Sequence, residues 1–154
     1  MNREIVRALS RWLASALLFV AASVGVSAQT ADVERLALKG YDPVAYFTLS
    51  RAAPGDPRFQ MEWDGAVYRF VSTGHLAQFR ADPDRYLPQY GNLCTAALAD
   101  GRKVAPDPLY WLVHEGRLFL FGSPQGVKTM SANPKAVNAQ ANANLGRMPQ
   151  PATR

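Results

Sequence analysis

Cys94 is the one thiol in this 154-residue chain, and His75 and His114 are its two imidazoles. Thiolate, imidazole and thioether are the donors that a soft ion such as Cu(I) prefers. Cys94 with His75, aided by Met61, is therefore the combination that could hold copper as a cofactor. A structural zinc site needs four nitrogen or sulfur ligands, and one Cys with two His does not supply them. His114 sits beside Glu115-Gly116 and reads as a solvated residue at a hairpin end. Cys94 has two other roles open to it. One is nucleophile, if Gly91-Asn92 sets it at a helix start and His75 serves as base, although no third group orients that base. The other is that of a small packed apolar residue. Tyr46 and Tyr90, each an apolar body with a polar tip, could line a ligand site beside Cys94 or supply core rings. Asp82 and Asp84 flank Pro83 and suit a helix start better than an acid–base dyad.

The elements that must position these residues follow from turn chemistry and periodicity. Asp64-Gly65, between Phe59–Trp63 and Ala66–Val71, is a strong hairpin signal, and Glu115-Gly116 joins Tyr110–His114 to Arg117–Phe121 in the same way. Ser72 or Thr73 caps a helix running through Arg80, and Asp82-Pro83-Asp84 opens a helical turn ending near Tyr86. Cys94–Ala99 favours helix, with Asp100-Gly101 as its stop. Pro106-Asp107-Pro108 reads as a turn, and Pro124–Ser131 and Pro134–Asn144 read as short helices. The second of these is rich in Ala and Asn and borders on low complexity over 136–144. No repeat is apparent beyond the recurrence of hairpins. The expected class is α+β, a small antiparallel sheet from two hairpins (about 59–71 and 110–121) with several short helices.

Two segments carry a family likeness: Tyr41-Asp42-Pro43-Val44-Ala45-Tyr46-Phe47 and Leu87-Pro88-Gln89-Tyr90-Gly91-Asn92-Leu93-Cys94. With Trp63-Asp64-Gly65-Ala66-Val67-Tyr68-Arg69-Phe70 and Asp107-Pro108, in this order, the chain over roughly 37–121 resembles the exported branch of the YHS domain family, related to TRASH-type metal-binding modules. The resemblance implies a small α+β fold and a binding or accessory role. Metal-binding relatives resemble Asp-Pro-Val-Cys followed by Phe-Cys-Ser-x-x-Cys. The corresponding ligand positions here are Ala45, Val71 and His75, so only His75 retains a donor. The exported branch looks to share Tyr-Gly-Gly-Tyr-Cys-Ala, which reads Tyr90-Gly91-Asn92-Leu93-Cys94-Thr95 here.

Address and charge bound the partners. Arg3, Arg7 and Arg11, an apolar run from Trp12 to about Val24, and Val26-Ser27-Ala28 fit a signal peptide over 1–28, cleaved near Ala28-Gln29. The apolar run falls short of the roughly 20 residues a membrane span needs, so no stable span is expected after its removal. A flexible leader (29–36), one domain (37–145) and a mobile tail (146–154) follow, in a periplasmic or secreted protein. The chain carries 17 basic and 12 acidic residues. Loss of three Arg and one Glu with residues 1–28 leaves 14 and 11, a mild and scattered +3. Nothing there suits nucleic acid. The function expected is an exported binding module, non-enzymatic, holding a soft metal ion or small ligand near Cys94. The alternatives are a structural domain that engages a periplasmic protein partner, and a thiol-dependent enzyme.

Overall fold

The computed structural model describes residues 36–148. The segment expected to be a signal peptide (1–28), nearly all of the expected leader and the last residues of the expected tail lie outside them. The fold is α+β, with two separate two-stranded antiparallel sheets and six short α-helices among the described residues. After a 3₁₀ turn (Ala37–Gly40) come α1 (Ala45–Thr48), the hairpin β1 (Asp56–Trp63) and β2 (Ala66–Phe70), then α2 (Thr73–Ala81) and α3 (Pro83–Tyr86). The second half runs α4 (Thr95–Ala99), β3 (Asp107–His114), β4 (Arg117–Phe121), α5 (Pro124–Ala132) and α6 (Pro134–Arg147). No helix among the described residues is long and apolar enough to cross a membrane.

These two halves are two copies of one unit. An interval of 51 residues separates Asp56 from Asp107, Ala66 from Arg117, Thr73 from Pro124 and Pro83 from Pro134, which begin the paired strands and helices. Register repeats as well: Asp56 faces Phe70 and Trp63 faces Ala66, just as Asp107 faces Phe121 and His114 faces Arg117, each ladder shifting register at the same place. Each first strand opens on Asp-Pro, and the aspartate Oδ1 accepts from the N–H two residues on, Arg58 in one copy and Leu109 in the other, both at 2.9 Å. Sequence periodicity alone did not expose this repeat. Asp107-Pro108 is the start of β3 rather than part of a free turn, because an Asp turn followed by proline suits the bulged end of a strand as well as a loop.

Equivalent positions build equivalent cores. In the first copy Val44, Phe70, Phe79 and Tyr86 cluster; in the second, Phe121, Met130 and Val137 hold the places of Phe70, Phe79 and Tyr86. A third cluster joins the copies, with Leu38 and Tyr46 of the first against Leu118 and Leu120 of the second. Tyr46 stacks at a tilt on Trp111, with centroids 5.2 Å apart.

The copies diverge at the last helix, which is one turn in α3 and 14 residues in α6. The Ala/Asn tract explains the difference. Val137 and Ala141 are buried on one face. Asn144 Nδ2 donates to Leu98 O at 3.0 Å and Ala99 O at 2.9 Å, satisfying carbonyls at the end of α4. The helix continues to Arg147, past the expected helix end at Asn144 and into the segment expected as tail.

Candidate functional site

Asp42 is wholly buried, and burial of a carboxylate requires partners on every lone pair. It has four. The N–H groups of Val44 (2.8 Å) and Ala45 (3.3 Å) donate to Oδ1, anchoring the start of α1. The Val71 N–H donates to Oδ2 at 2.8 Å, and His75 Nδ1 lies 2.6 Å from the same oxygen. The carboxylate accepts, so the imidazole carries a proton at Nδ1 and turns Nε2 toward Thr48 Oγ1, 3.2 Å away. Ser72 helps set the ring by capping α2, its Oγ accepting from the His75 N–H at 3.2 Å. The Asp42-Pro43 step at a helix start is a sequence sign of a capping role, but the link to His75 depends on the hairpin folding back.

The second copy puts Cys94 where the first has Asp42. The Cys94 N–H donates to Val104 O at 2.8 Å, as the Asp42 N–H donates to Ala53 O at 2.9 Å. The Gly122 N–H donates to Cys94 Sγ at 3.1 Å, as the Val71 N–H donates to Asp42 Oδ2. From Asp42 to Cys94 is 52 residues and from Ala53 to Val104 is 51, so the loop between them is one residue shorter in the second copy. Asp100 corresponds to Leu49: each follows its helix, donates its N–H four residues back, to Ala96 O and Ala45 O, and precedes a residue of positive φ, Gly101 and Ser50. Ser72 corresponds to Ser123 and His75 to Gly126. Cys94 is itself the residue before α4, with the helix beginning at Thr95.

Beside Cys94 lies a cavity of about 340 Å³, at the small end of the roughly 300–1,000 Å³ range of ligand sites. It is lined by Cys94, Gly122, Ser123 and Gly126, with Ala96, Val104 and Val137 adding apolar surface and Asp100, Arg102 and Gln140 polar groups. Asp100 and Arg102 form an exposed pair at 3.1 Å, which contributes little to stability and leaves both free to turn.

The other expected site residues fall elsewhere. Tyr46 is inside the joint core, its hydroxyl donating to Pro108 O at 3.0 Å. Burial above all, then the neighbouring Tyr41, Asp42 and Asp107, holds that hydroxyl well above its ordinary pKa. The Tyr90 hydroxyl meets the side-chain oxygens of Asn138 and Asn142 on α6, each at 3.0 Å, and burial raises its pKa against an opposing Arg117. His75 is not on the cavity wall, and both its ring nitrogens have partners. Cys94 and His75 thus serve different copies. No group of three or more His, Cys, Asp or Glu among the described residues is arranged to hold a metal ion.

One signal in the sequence marks the duplicated site: Asp-Pro, a residue followed by Gly, Phe-x-Ser and a helix-opening Pro all recur at 51 residues, as Asp56-Pro57, Gly65, Phe70-Val71-Ser72 and Pro83 against Asp107-Pro108, Gly116, Phe121-Gly122-Ser123 and Pro134. No protein-family model, curated protein or solved structure matches this chain.

Proposed function

We propose that this protein is an exported, non-enzymatic binding module of YHS type, and that its ligand enters the cavity over Cys94. The observation that carries this reading is the contrast between the copies. One fold position is filled by the buried Asp42 and the partly buried His75 hydrogen-bonded to it in the first copy. In the second it is open beside a thiol. A fold that can close this position and leaves it open has room there for something from outside.

Copper receives less support than a small organic ligand. Of the residues lining the cavity, Cys94 alone is a soft donor, and Cu(I) needs at least a second. A thiol-dependent enzyme is weaker still, because His75, the base that the sequence offers, is committed to Asp42 and Thr48.

Native-state labelling of Cys94 with a small maleimide tests the reading, together with a fragment screen followed by amide NMR. Labelling of the folded protein, and fragments that saturably shift the Gly122 and Gly126 amides, are expected. A thiol that reacts only after unfolding, with no fragment reaching those amides, would instead leave a structural or protein-interaction domain.

A further inference from the structure

We infer that Thr48 is a nucleophile, activated through His75 and Asp42, that takes an acyl group from an activated ester or thioester. The inference goes beyond the binding reading and does not depend on the cavity at Cys94. A hydroxyl within hydrogen-bond reach of a base, with the base oriented by a third group, is the recurring signature of an activated nucleophile. All three groups stand together in the first copy. Thr48 Oγ1 lies 3.2 Å from His75 Nε2, and His75 Nδ1 lies 2.6 Å from Asp42 Oδ2. Exposure is graded as this chemistry needs: Asp42 is wholly buried, the His75 side chain is 12% exposed, and Thr48 is exposed.

Hydrogen-bond capacity fixes the direction of the proton. Asp42 accepts the Nδ1 proton, which leaves Nε2 of the neutral ring with a bare lone pair. The Thr48 hydroxyl has one proton and two acceptors in reach, Nε2 and Val44 O at 3.0 Å. Val44 O already accepts from the Phe47 and Thr48 N–H groups, each at 3.1 Å, so both its lone pairs are in use. Nε2 has no donor besides Thr48 among the described residues. The proton therefore lies between Oγ1 and Nε2, the arrangement in which the ring serves as general base.

The unit also forms without this trio. Helices α1 and α4 end at Thr48 and Ala99, and the second copy has Cys94, Ala99 and Gly126 where the first has Asp42, Thr48 and His75. Packing of the shared fold does not account for the conjunction of the three side chains.

In the transfer, Thr48 Oγ1 adds to the carbonyl carbon of the donor while its proton passes to Nε2, and Asp42 steadies the imidazolium. The tetrahedral adduct expels the alcohol or thiol, which leaves with the bonding electron pair and takes the proton back from Nε2. A threonine ester remains and the ring is neutral again. Phosphoryl donors match less well. The formal charge held in the cluster is the Asp42 carboxylate, whereas phosphoryl transfer is assisted by cations.

p-Nitrophenyl acetate is the probe, added to the protein at pH 7 and followed by peptide mass spectrometry. An acetyl ester labile to hydroxylamine is expected at Thr48, with Thr73, another exposed threonine, unmodified. Thr48→Ala, which installs the residue found at this place in the second copy, should lose the ester, and Thr48→Ser should keep it. His75→Gln should slow acetylation about a hundredfold, the effect of losing a positioned base. Asp42 is a positioning residue, and its readout is the ring itself: the ¹⁵N shifts of His75 at pH 7 should show a neutral imidazole with its proton on Nδ1. Acetylation of Thr48 no faster than of Thr73, an unchanged rate in folded His75→Gln, or a ring protonated at Nε2 would each overturn the inference. If His75→Gln does not fold, the comparison of Thr48 with Thr73 and the ring shifts of the unsubstituted protein decide.

Discussion

Asp42 and Cys94 occupy one position in two copies of a single unit, each accepting a hydrogen bond from the backbone N–H that follows the second strand of its hairpin: Val71 at 2.8 Å and Gly122 at 3.1 Å. The chemistry at that position differs in kind. The aspartate ties α1, β2 and α2 together through four hydrogen bonds. The sulfur holds one N–H and faces a cavity.

The two positions should therefore respond unequally to truncation. Asp42→Ala strands three backbone N–H groups and the His75 ring in a buried setting, and should cost about 3–5 kcal/mol, as for removing one partner of a buried pair. Cys94→Ala removes a single sulfur beside open space and should cost only about 1 kcal/mol. Urea unfolding of both variants at pH 7 checks this, and equal losses would mean that Cys94 is as structural as Asp42.

His75→Gly should make the first copy resemble the second. The variant loses the ring between Asp42 and Thr48 and unfolds at lower urea. Added imidazole should restore part of the loss through binding to the folded state alone, with a stabilisation growing as the logarithm of ligand concentration. Thermal melts with increasing imidazole, against 1-methylimidazole, provide the measurement. No rescue, in a variant shown to be folded, would mean that the neighbouring helix closes over the space.

Thr95 is wholly buried and its Oγ1 has no hydrogen-bond partner among the described residues. A buried hydroxyl without a partner costs roughly 1–3 kcal/mol. Thr95→Val keeps the shape and removes the hydroxyl, so it should raise stability by about 1 kcal/mol. A loss of stability in urea unfolding would show that Oγ1 is bonded in solution.

Tyr46 fixes an alkaline limit. Burial favours its neutral form, so the folded protein keeps that proton above the pH near 10 at which an unfolded tyrosine releases it. The resulting stability is fully present below pH 10 and is lost as pH rises above it. Tyr46→Phe should cost about 1 kcal/mol at pH 7 through the lost bond to Pro108 O. It should also flatten the decline above pH 10, the remainder coming from Tyr68 and Tyr90, which burial raises as well. Urea unfolding at pH 7, 10 and 11 separates the two effects.

What the sequence determined by itself is local. The Asp64-Gly65 and Glu115-Gly116 turns, both with positive φ at each residue, the Ser72 cap and the prolines opening α3, α5 and α6 were legible because each rests on the conformational preference of one or two residues. These were enough to state two hairpins with short helices. The copies share the positions of their turns and caps but little of the rest, with Phe79 against Met130 and Tyr86 against Val137, so hydrophobic identity did not announce the repeat. Only the tertiary structure decided which residues share a site. Asp42 and His75 are 33 positions apart and Cys94 and Gly122 are 28 apart. Each pair meets because a hairpin brings the end of its second strand back to the segment preceding the first helix. Hairpin register sets that meeting, and a register is held by the packing of two faces at once, which no single residue's preference encodes.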